Sequence, residues 1–514
     1  MNQQFLKQWQ TLQQLSKNEQ LKNLGLLFKN NPNRAVEYSY EFDDIFIDFS
    51  KNWLDSQILE ELLQLSNKAN LTDKIEALFR GDKVNVSENK PATHTAQRKL
   101  KASEQILADR NKMFAIAQNY QSGRWLSGFG KKIKAVVNIG IGGSYLGPKL
   151  AIQALTQLQT SNKIKVYYFP SVDDVAFKVL LQSIDISCTL FCISSKSLST
   201  IETIRNTHTI INLLKNNQDY QPRANNQSFV AATTNIEKAN DLNIPNTHIM
   251  PFDNATGGRF SVWSSIGFPL LMAIGEQKFK EFLAGAEKTD NHFRQTELKN
   301  NIPVLMALLS IWYRNFMQLT AYAVIPYDAR LRNLPAWLQQ LMMESNGKMI
   351  DVNGNPVNNV TSPWLFGDHG QLSQHAFFQA FHQGKDILPI DFIGVLSEQS
   401  ESQDFLLINM LAQSAALMNG NKNGSKHCYC PGNRPSTTIL LKKLSASSLG
   451  QLLALYEHMI FVQSVIWNIN CFDQPGVELG KNIARNIVEH MQNNSLDSMD
   501  LDQSTKQLIS RVLK

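Results

Sequence analysis

Four single residues in this sequence carry side chains suited to acid–base chemistry. Glu344 lies in Met343-Glu344-Ser345-Asn346-Gly347-Lys348, near the end of the helical run LPAWLQQLMME, with Gly347 placed to stop the helix. His375 stands in QHAFFQ, and His382 follows seven positions later, at a spacing that shares a helix face. Arg259 follows Gly257 and Gly258, which bring it close to a backbone or a ligand. Lys481 closes the stretch FDQPGVELGK. Each has a plainer reading when taken alone: a solvated glutamate, a satisfied core histidine, a surface ion pair and a solvated lysine.

Two further stretches suit an anion. Gly140-Ile141-Gly142-Gly143-Ser144 follows an apolar strand and opens a helix, where backbone N–H groups can face a negative charge. It has no P-loop lysine, and the third glycine of a dinucleotide fingerprint falls on Tyr145. A tight strand–helix turn explains it equally well. Ser194-Ser195-Lys196-Ser197-Leu198-Ser199-Thr200 also joins a strand to a helix. Capping uses one hydroxyl, whereas several hydroxyls and a lysine together match a phosphate monoester.

The elements around these loops predict how they are positioned. Residues 1–104 read as an N-terminal segment of helices and loops, with apolar residues at helical spacing in ILEELLQL and KIEALF. Between 105 and 275, KAVVNI, KVYYFP, CTLFCISS and SFVAATT read as strands separated by helices, the pattern of βαβ units around a parallel sheet. In such a sheet the loops leaving the C-terminal strand ends face one crevice, so GIGGS and SSKSLST line the same site. A second α/β region spans 276–481, with PIDFIGVL its clearest strand, and residues 482–514 form a helical, amphipathic tail.

Composition narrows the function classes. The chain has 514 residues, 43% hydrophobic and 18% charged, which suits two packed domains. A net charge of +6 is mild over this length and does not argue for nucleic acid. Five irregularly spaced cysteines do not make a disulfide framework. His427, Cys428 and Cys430 lie too close together for a metal site, with no second ligand pair. The polar N-terminus and the absence of a long uninterrupted apolar run argue against a signal peptide or a membrane span, and for a cytoplasmic protein.

In order along the chain, GIGGS, SSKSLST, GGRFSVWSSIG, MESNGK, QHAFFQAFHQG, PGNRPST, ALYEH and FDQPGVELGK resemble the glucose-6-phosphate isomerase family from about residue 88 to 481. The resemblance implies two doubly wound sugar-isomerase domains, each a three-layer α-β-α sandwich, with extra N- and C-terminal helices. It implies a homodimer with active sites at the interface, and no metal or organic cofactor. Carried onto this sequence, Ser195, Lys196, Ser197 and Thr200 would hold the phosphate, with Gly143 and Ser144 nearby. Gln340 and Gln474 would hold the sugar, and Arg259 would face the reacting carbons. Glu344 would be the base, with His375, from the partner subunit, and Lys481 assisting ring opening.

The implied reaction explains these types. A proton must reach the ring oxygen as the sugar opens, and a histidine suits that. One carboxylate then carries a proton between C2 and C1, and a fixed cation steadies the cis-enediolate. An isomerase for mannose 6-phosphate is the enzyme alternative, and a sugar-phosphate-binding regulator the non-enzyme one. The chain departs from the family at Tyr145, where Asp is usual, at Thr256, where an aliphatic residue is usual, and at Lys90, where Arg is usual. It also departs at Gly370-Gln371-Leu372-Ser373 and in a shortened stretch from Met418 to Pro431.

Overall fold

The computed structural model describes residues 3–156, 164–396, 400–423, 425–493 and 499–512. In chain order its strands are β1 (Ser39–Phe42), β2 (Ile45–Asp48), β3 (Ala135–Ile139), β4 (Lys165–Tyr168), β5 (Thr189–Ser194), β6 (Phe229–Ala232), β7 (Ile249–Met250), β8 (Ala321–Pro326), β9 (Trp364–Phe366), β10 (Ile390–Val395) and β11 (Ser436–Leu441). β3, β5, β6 and β10 are buried along their whole length, as near-continuous apolar runs covered on both faces require.

The first sheet has the order β4-β3-β5-β6-β7, and every pairing in it is parallel. Chain direction across the sheet reverses between β3 and β5, which makes their C-terminal ends a topological switch point. GIGGS leaves β3 and SSKSLST leaves β5 there, so the expected common crevice follows from strand order. Val137, Ile139, Phe191, Ile193, Ile210 and Ile249 are among the buried residues of its core.

The second sheet has the order β1-β2-β11-β10-β8-β9. β9, β8, β10 and β11 pair in parallel, while β2 lies antiparallel to β11 and to β1. The N-terminal segment is therefore not only helices and loops: Ser39–Asp48 is a hairpin that extends this sheet. Its turn residue Asp43 has φ +50°, and Ile45 and Ile47 point inward in the alternation of a half-buried strand.

Helix Ala446–Trp467 has the length and hydropathy of a membrane span, but 94% of its apolar window is buried inside the protein. Adjacent buried residues Glu457 and His458 are ionisable. Glu457 and His458 meet Arg98 and Asp290 in a network in which Arg98 bonds to both carboxylates, Trp263 Nε1 donates to Glu457 Oε1 at 2.9 Å, and His458 Nε2 lies 2.7 Å from Asp290 Oδ1. Each charge answers another, and removing one partner from such a buried set costs ~3–5 kcal/mol.

Phe472–Lys514 is a separate compact unit. Helix Pro475–Gln492 starts with proline in its first turn and runs past residue 481, and helix Gln503–Val512 follows.

Candidate active site

Glu344 closes a π-helical turn, Gln340–Glu344, that continues the helix Leu334–Gln339. The wider turn breaks the regular i to i+4 ladder, a distortion common where side chains converge on a site. Gln340 Nε2 donates to Glu344 Oε2 at 2.8 Å, and Arg259 Nη1 donates to Glu344 Oε1 at 2.8 Å. Both carboxylate oxygens are thus engaged while the side chain stays 18% exposed. It is neither a solvated glutamate nor a buried structural one.

Arg259 is buried, against the surface-pair reading of its sequence. Its Nε donates to Ser345 Oγ at 2.6 Å and its Nη2 to the Cys471 carbonyl at 2.5 Å. The Lys348 ammonium bonds the carbonyls of Glu344 and Ser345 at 2.9 Å, and so holds the end of the turn. Asn346 Nδ2 reaches the Ile460 carbonyl and Gln463 Oε1, tying the turn to the buried helix behind it.

The glycine loop meets this centre by direct backbone approach. Gly142 has φ +58°, and a Cβ there would sit 3.0 Å from Gln340 Nε2. A Cβ on Gly143 would fall 2.1 Å from the Gly258 carbonyl carbon and oxygen and 2.5 Å from the Arg259 nitrogen. GIGGS and GGRF are therefore packed main chain to main chain, which only glycine permits.

Asn138, the one polar residue of β3, links the two predicted anion loops. Its Nδ2 donates to the Ser144 carbonyl at 2.9 Å, and its Oδ1 accepts from Ser194 Oγ at 2.6 Å. Sequence reasoning passed over it, although a polar residue inside the run AVVNI is itself a signal.

The SSKSLST loop keeps its hydroxyls largely away from capping. Thr200 occupies the N-cap position of helix Ile201–Lys215 but makes no side-chain cap bond. Ser197 and Ser199 hydroxyls bond each other at 2.6 Å on the exposed side, and the buried Ser195 Oγ accepts from Leu198 N. Leu198 takes φ +47°, a conformation unusual for leucine, which turns the loop sharply. Thr233 and Thr234 hydroxyls both bond the Lys196 carbonyl, fixing the loop from behind. Burial lowers the Lys196 ammonium from its ordinary value; Glu88 opposes that shift and Lys90 adds to it.

The remaining predicted residues lie on other elements. His375 is exposed on helix Gly370–Ala376, whose start rests on the Tyr327 ring and whose Gln374 donates to Tyr327 Oη at 2.8 Å. His382 is half-buried, and its Nε2 lies 3.2 Å from Gln413 Oε1. Gln474 and Lys481 lie in the C-terminal unit: Gln474 stands at the N-cap of helix Pro475–Gln492, and Lys481 pairs with Glu478 at 3.0 Å.

Several departures from the family pattern have local partners. Thr256 is buried, and its hydroxyl bonds that of Thr93 at 3.0 Å. Tyr145 accepts from Lys149 Nζ at 2.8 Å and packs edge-on to Tyr168. Lys90 pairs with Glu88 at 3.5 Å, and Gly370-Gln371-Leu372-Ser373 opens the helix of His375. In the shortened stretch from Met418 to Pro431, residue 424 lies outside the described residues.

The phosphoglucose isomerase family model matches residues 48–509. A protein from Chromohalobacter salexigens named glucose-6-phosphate isomerase 1 is 41% identical over 98% of this chain and 94% of its own length. A glucose-6-phosphate isomerase from Francisella tularensis is 40% identical, over 96% of this chain and 97% of its own. The solved structure of a glucose-6-phosphate isomerase from Chlamydia trachomatis superposes with a TM-score of 0.88 at 31% identity, covering 99% of both chains.

Proposed function

The chain belongs to the phosphoglucose isomerase family, and from that premise we propose how its residues share the interconversion of glucose 6-phosphate and fructose 6-phosphate. The arrangement that carries the proposal is the Glu344 carboxylate held between Arg259 and Gln340.

Glu344 takes the proton from C2 of the open-chain aldose and returns it to C1. When it does so, its negative charge passes to the substrate oxygens as a cis-enediolate. Arg259 already lies 2.8 Å from the carboxylate, so the same fixed cation is at hand for that charge, with no reorganisation. Gln340 keeps the carboxylate aimed, and its buried Oε1, which has no protein partner among the described residues, is available to a sugar hydroxyl.

Ser195, Lys196, Ser197 and Thr200 bind the phosphate, with Gly143 and Ser144 beside them. The unused cap hydroxyl of Thr200 and the exposed hydroxyls of the loop support this reading. Gln474 holds the sugar. His375 and Lys481 assist ring opening; the exposure of His375 supports its donation to a second copy, in a homodimer with its active sites at the interface. The enzyme works in the cytoplasm without a metal or organic cofactor.

A coupled assay of the purified chain with fructose 6-phosphate tests the assignment. Formation of glucose 6-phosphate is expected. Turnover of mannose 6-phosphate in its place would overturn the substrate assignment.

A further inference from the structure

Asn138 is fully buried in β3. Strand interiors disfavour asparagine, and a buried amide is costly unless it is hydrogen-bonded. Side chains alternate across a sheet, so Val137 and Ile139 enter the core of one face while Asn138 lies on the other. Cys192 is its register partner on β5, and Ser194 stands two positions further along that strand. Both bonds of the amide go to the loops rather than to the core. Nδ2 donates at 2.9 Å to the Ser144 carbonyl, in the first turn of helix Gly143–Thr156. Oδ1 accepts at 2.6 Å from Ser194 Oγ, on the residue that leads into Ser195 and Lys196.

The same two loops also touch directly. A Cβ on Gly140 would lie 2.8 Å from the Ser194 carbonyl oxygen and 3.0 Å from Ser144 Cβ. Glycine thus allows the loops to meet, and the amide sets where they meet.

We infer that Asn138 is a positioning residue for phosphate binding: it holds the GIGGS helix start and the SSKSLST loop at the separation at which both reach one phosphate. The inference rests on the assignment of those loops to the phosphate. Asn138 acts through Ser144 and Ser194, not on the substrate. A ligand that needs two loops binds more tightly when their spacing is set beforehand. Phosphate is held alike before and during the proton transfer, so loss of the bridge raises KM and leaves kcat nearly unchanged.

Inorganic phosphate, as a competitive inhibitor of fructose 6-phosphate turnover by the full-length protein, is the probe. Asn138→Leu nearly keeps the side-chain volume and removes both bonds. It should raise KM and the phosphate inhibition constant together, roughly tenfold, with kcat falling less than about threefold. Ser194→Ala removes only the Oδ1 bond and should raise both constants about threefold. It is the smaller change, and reads the same bridge should Asn138→Leu fail to fold. The double variant should be no worse than Asn138→Leu, because the bridge is already broken.

A purely structural role would lower the melting temperature and leave the phosphate inhibition constant unmoved in folded protein. That result in either variant would overturn the inference, as would a loss confined to kcat or a further loss in the double variant. Lys196→Ala separates the two ways of failing. If it weakens phosphate inhibition while folded Asn138→Leu and Ser194→Ala do not, the loop assignment stands and the positioning role falls. If it leaves phosphate inhibition unchanged, the loop assignment itself falls and the inference with it.

Discussion

Arg259 and Glu344 form a 2.8 Å ion pair in which the arginine side chain is almost wholly buried and the glutamate side chain is 18% exposed. The asymmetry has a structural cause. The cation cannot leave, because Ser345 and the Cys471 carbonyl also hold it.

Glu344→Gln should therefore retain sugar-phosphate binding and lose isomerisation. The amide fills the same space and still meets Gln340, but it cannot accept the C2 proton. A positioned acid–base group contributes ~10²–10⁴-fold, so kcat should fall by at least that much while the affinity for a non-reacting sugar phosphate changes little. Steady-state kinetics beside calorimetric binding separates the two. Turnover near the wild-type rate would remove Glu344 from the mechanism.

Gly143→Ala should damage the site without touching an acid or a base. Its Cβ would enter the space of the Gly258 carbonyl, and the neighbour is main chain, so it cannot rotate away. Overpacking of this kind costs ~1–3 kcal/mol, and here the displaced segment carries Arg259. Both a lower melting temperature and a loss in kcat/KM are expected. Full activity in a destabilised protein would show that the shift is absorbed away from Arg259.

His375 sets up a test that needs two inactive proteins. If each site takes its histidine from the partner copy, then Glu344→Gln and His375→Ala homodimers, dissociated and reassociated together, form mixed dimers with one intact site. Activity should rise above that of either parent. His375→Ala alone should slow the cyclic sugar more than proton exchange on an open-chain substrate. No recovery in verified mixed dimers would place the histidine and the carboxylate of each site on one chain.

Much of this site was legible because its motifs sit at strand ends. The switch point between β3 and β5 follows from the alternation of apolar runs and helices, and it brings GIGGS and SSKSLST together. What the sequence hid was long-range. The Gly143–Gly258 contact joins residues over a hundred apart, and nothing local in either loop announces it. The hairpin Ser39–Asp48 was missed because its alternation is short and flanked by strong helical periods. The π turn at Gln340–Glu344 was invisible for a similar reason, since its composition is that of an ordinary helix.

Asp391 offers a stability measurement independent of catalysis. It is buried in β10, where the hydroxyls of Tyr322 and Tyr456 donate to Oδ2 at 2.7 and 2.8 Å. Burial raises its carboxyl from 3.8 to about 6, and the two tyrosines offset only part of that. Below pH 3.8 the group is protonated both folded and unfolded, so its contribution is fully present. As pH rises toward 6 the unfolded chain ionises first and binds fewer protons than the folded one, and stability falls. Above about 6 both forms are ionised and the loss is complete, at roughly 3 kcal/mol for a shift of this size. Asp391→Asn keeps a neutral acceptor for both tyrosines and has no proton to lose. Its melting temperature relative to wild type should therefore rise between pH 4 and pH 7 and level off above that. Glu457 and His458 titrate alike in both proteins and cancel in the comparison. A difference in melting temperature that stays flat across this range would mean that Asp391 is ionised in the folded chain throughout.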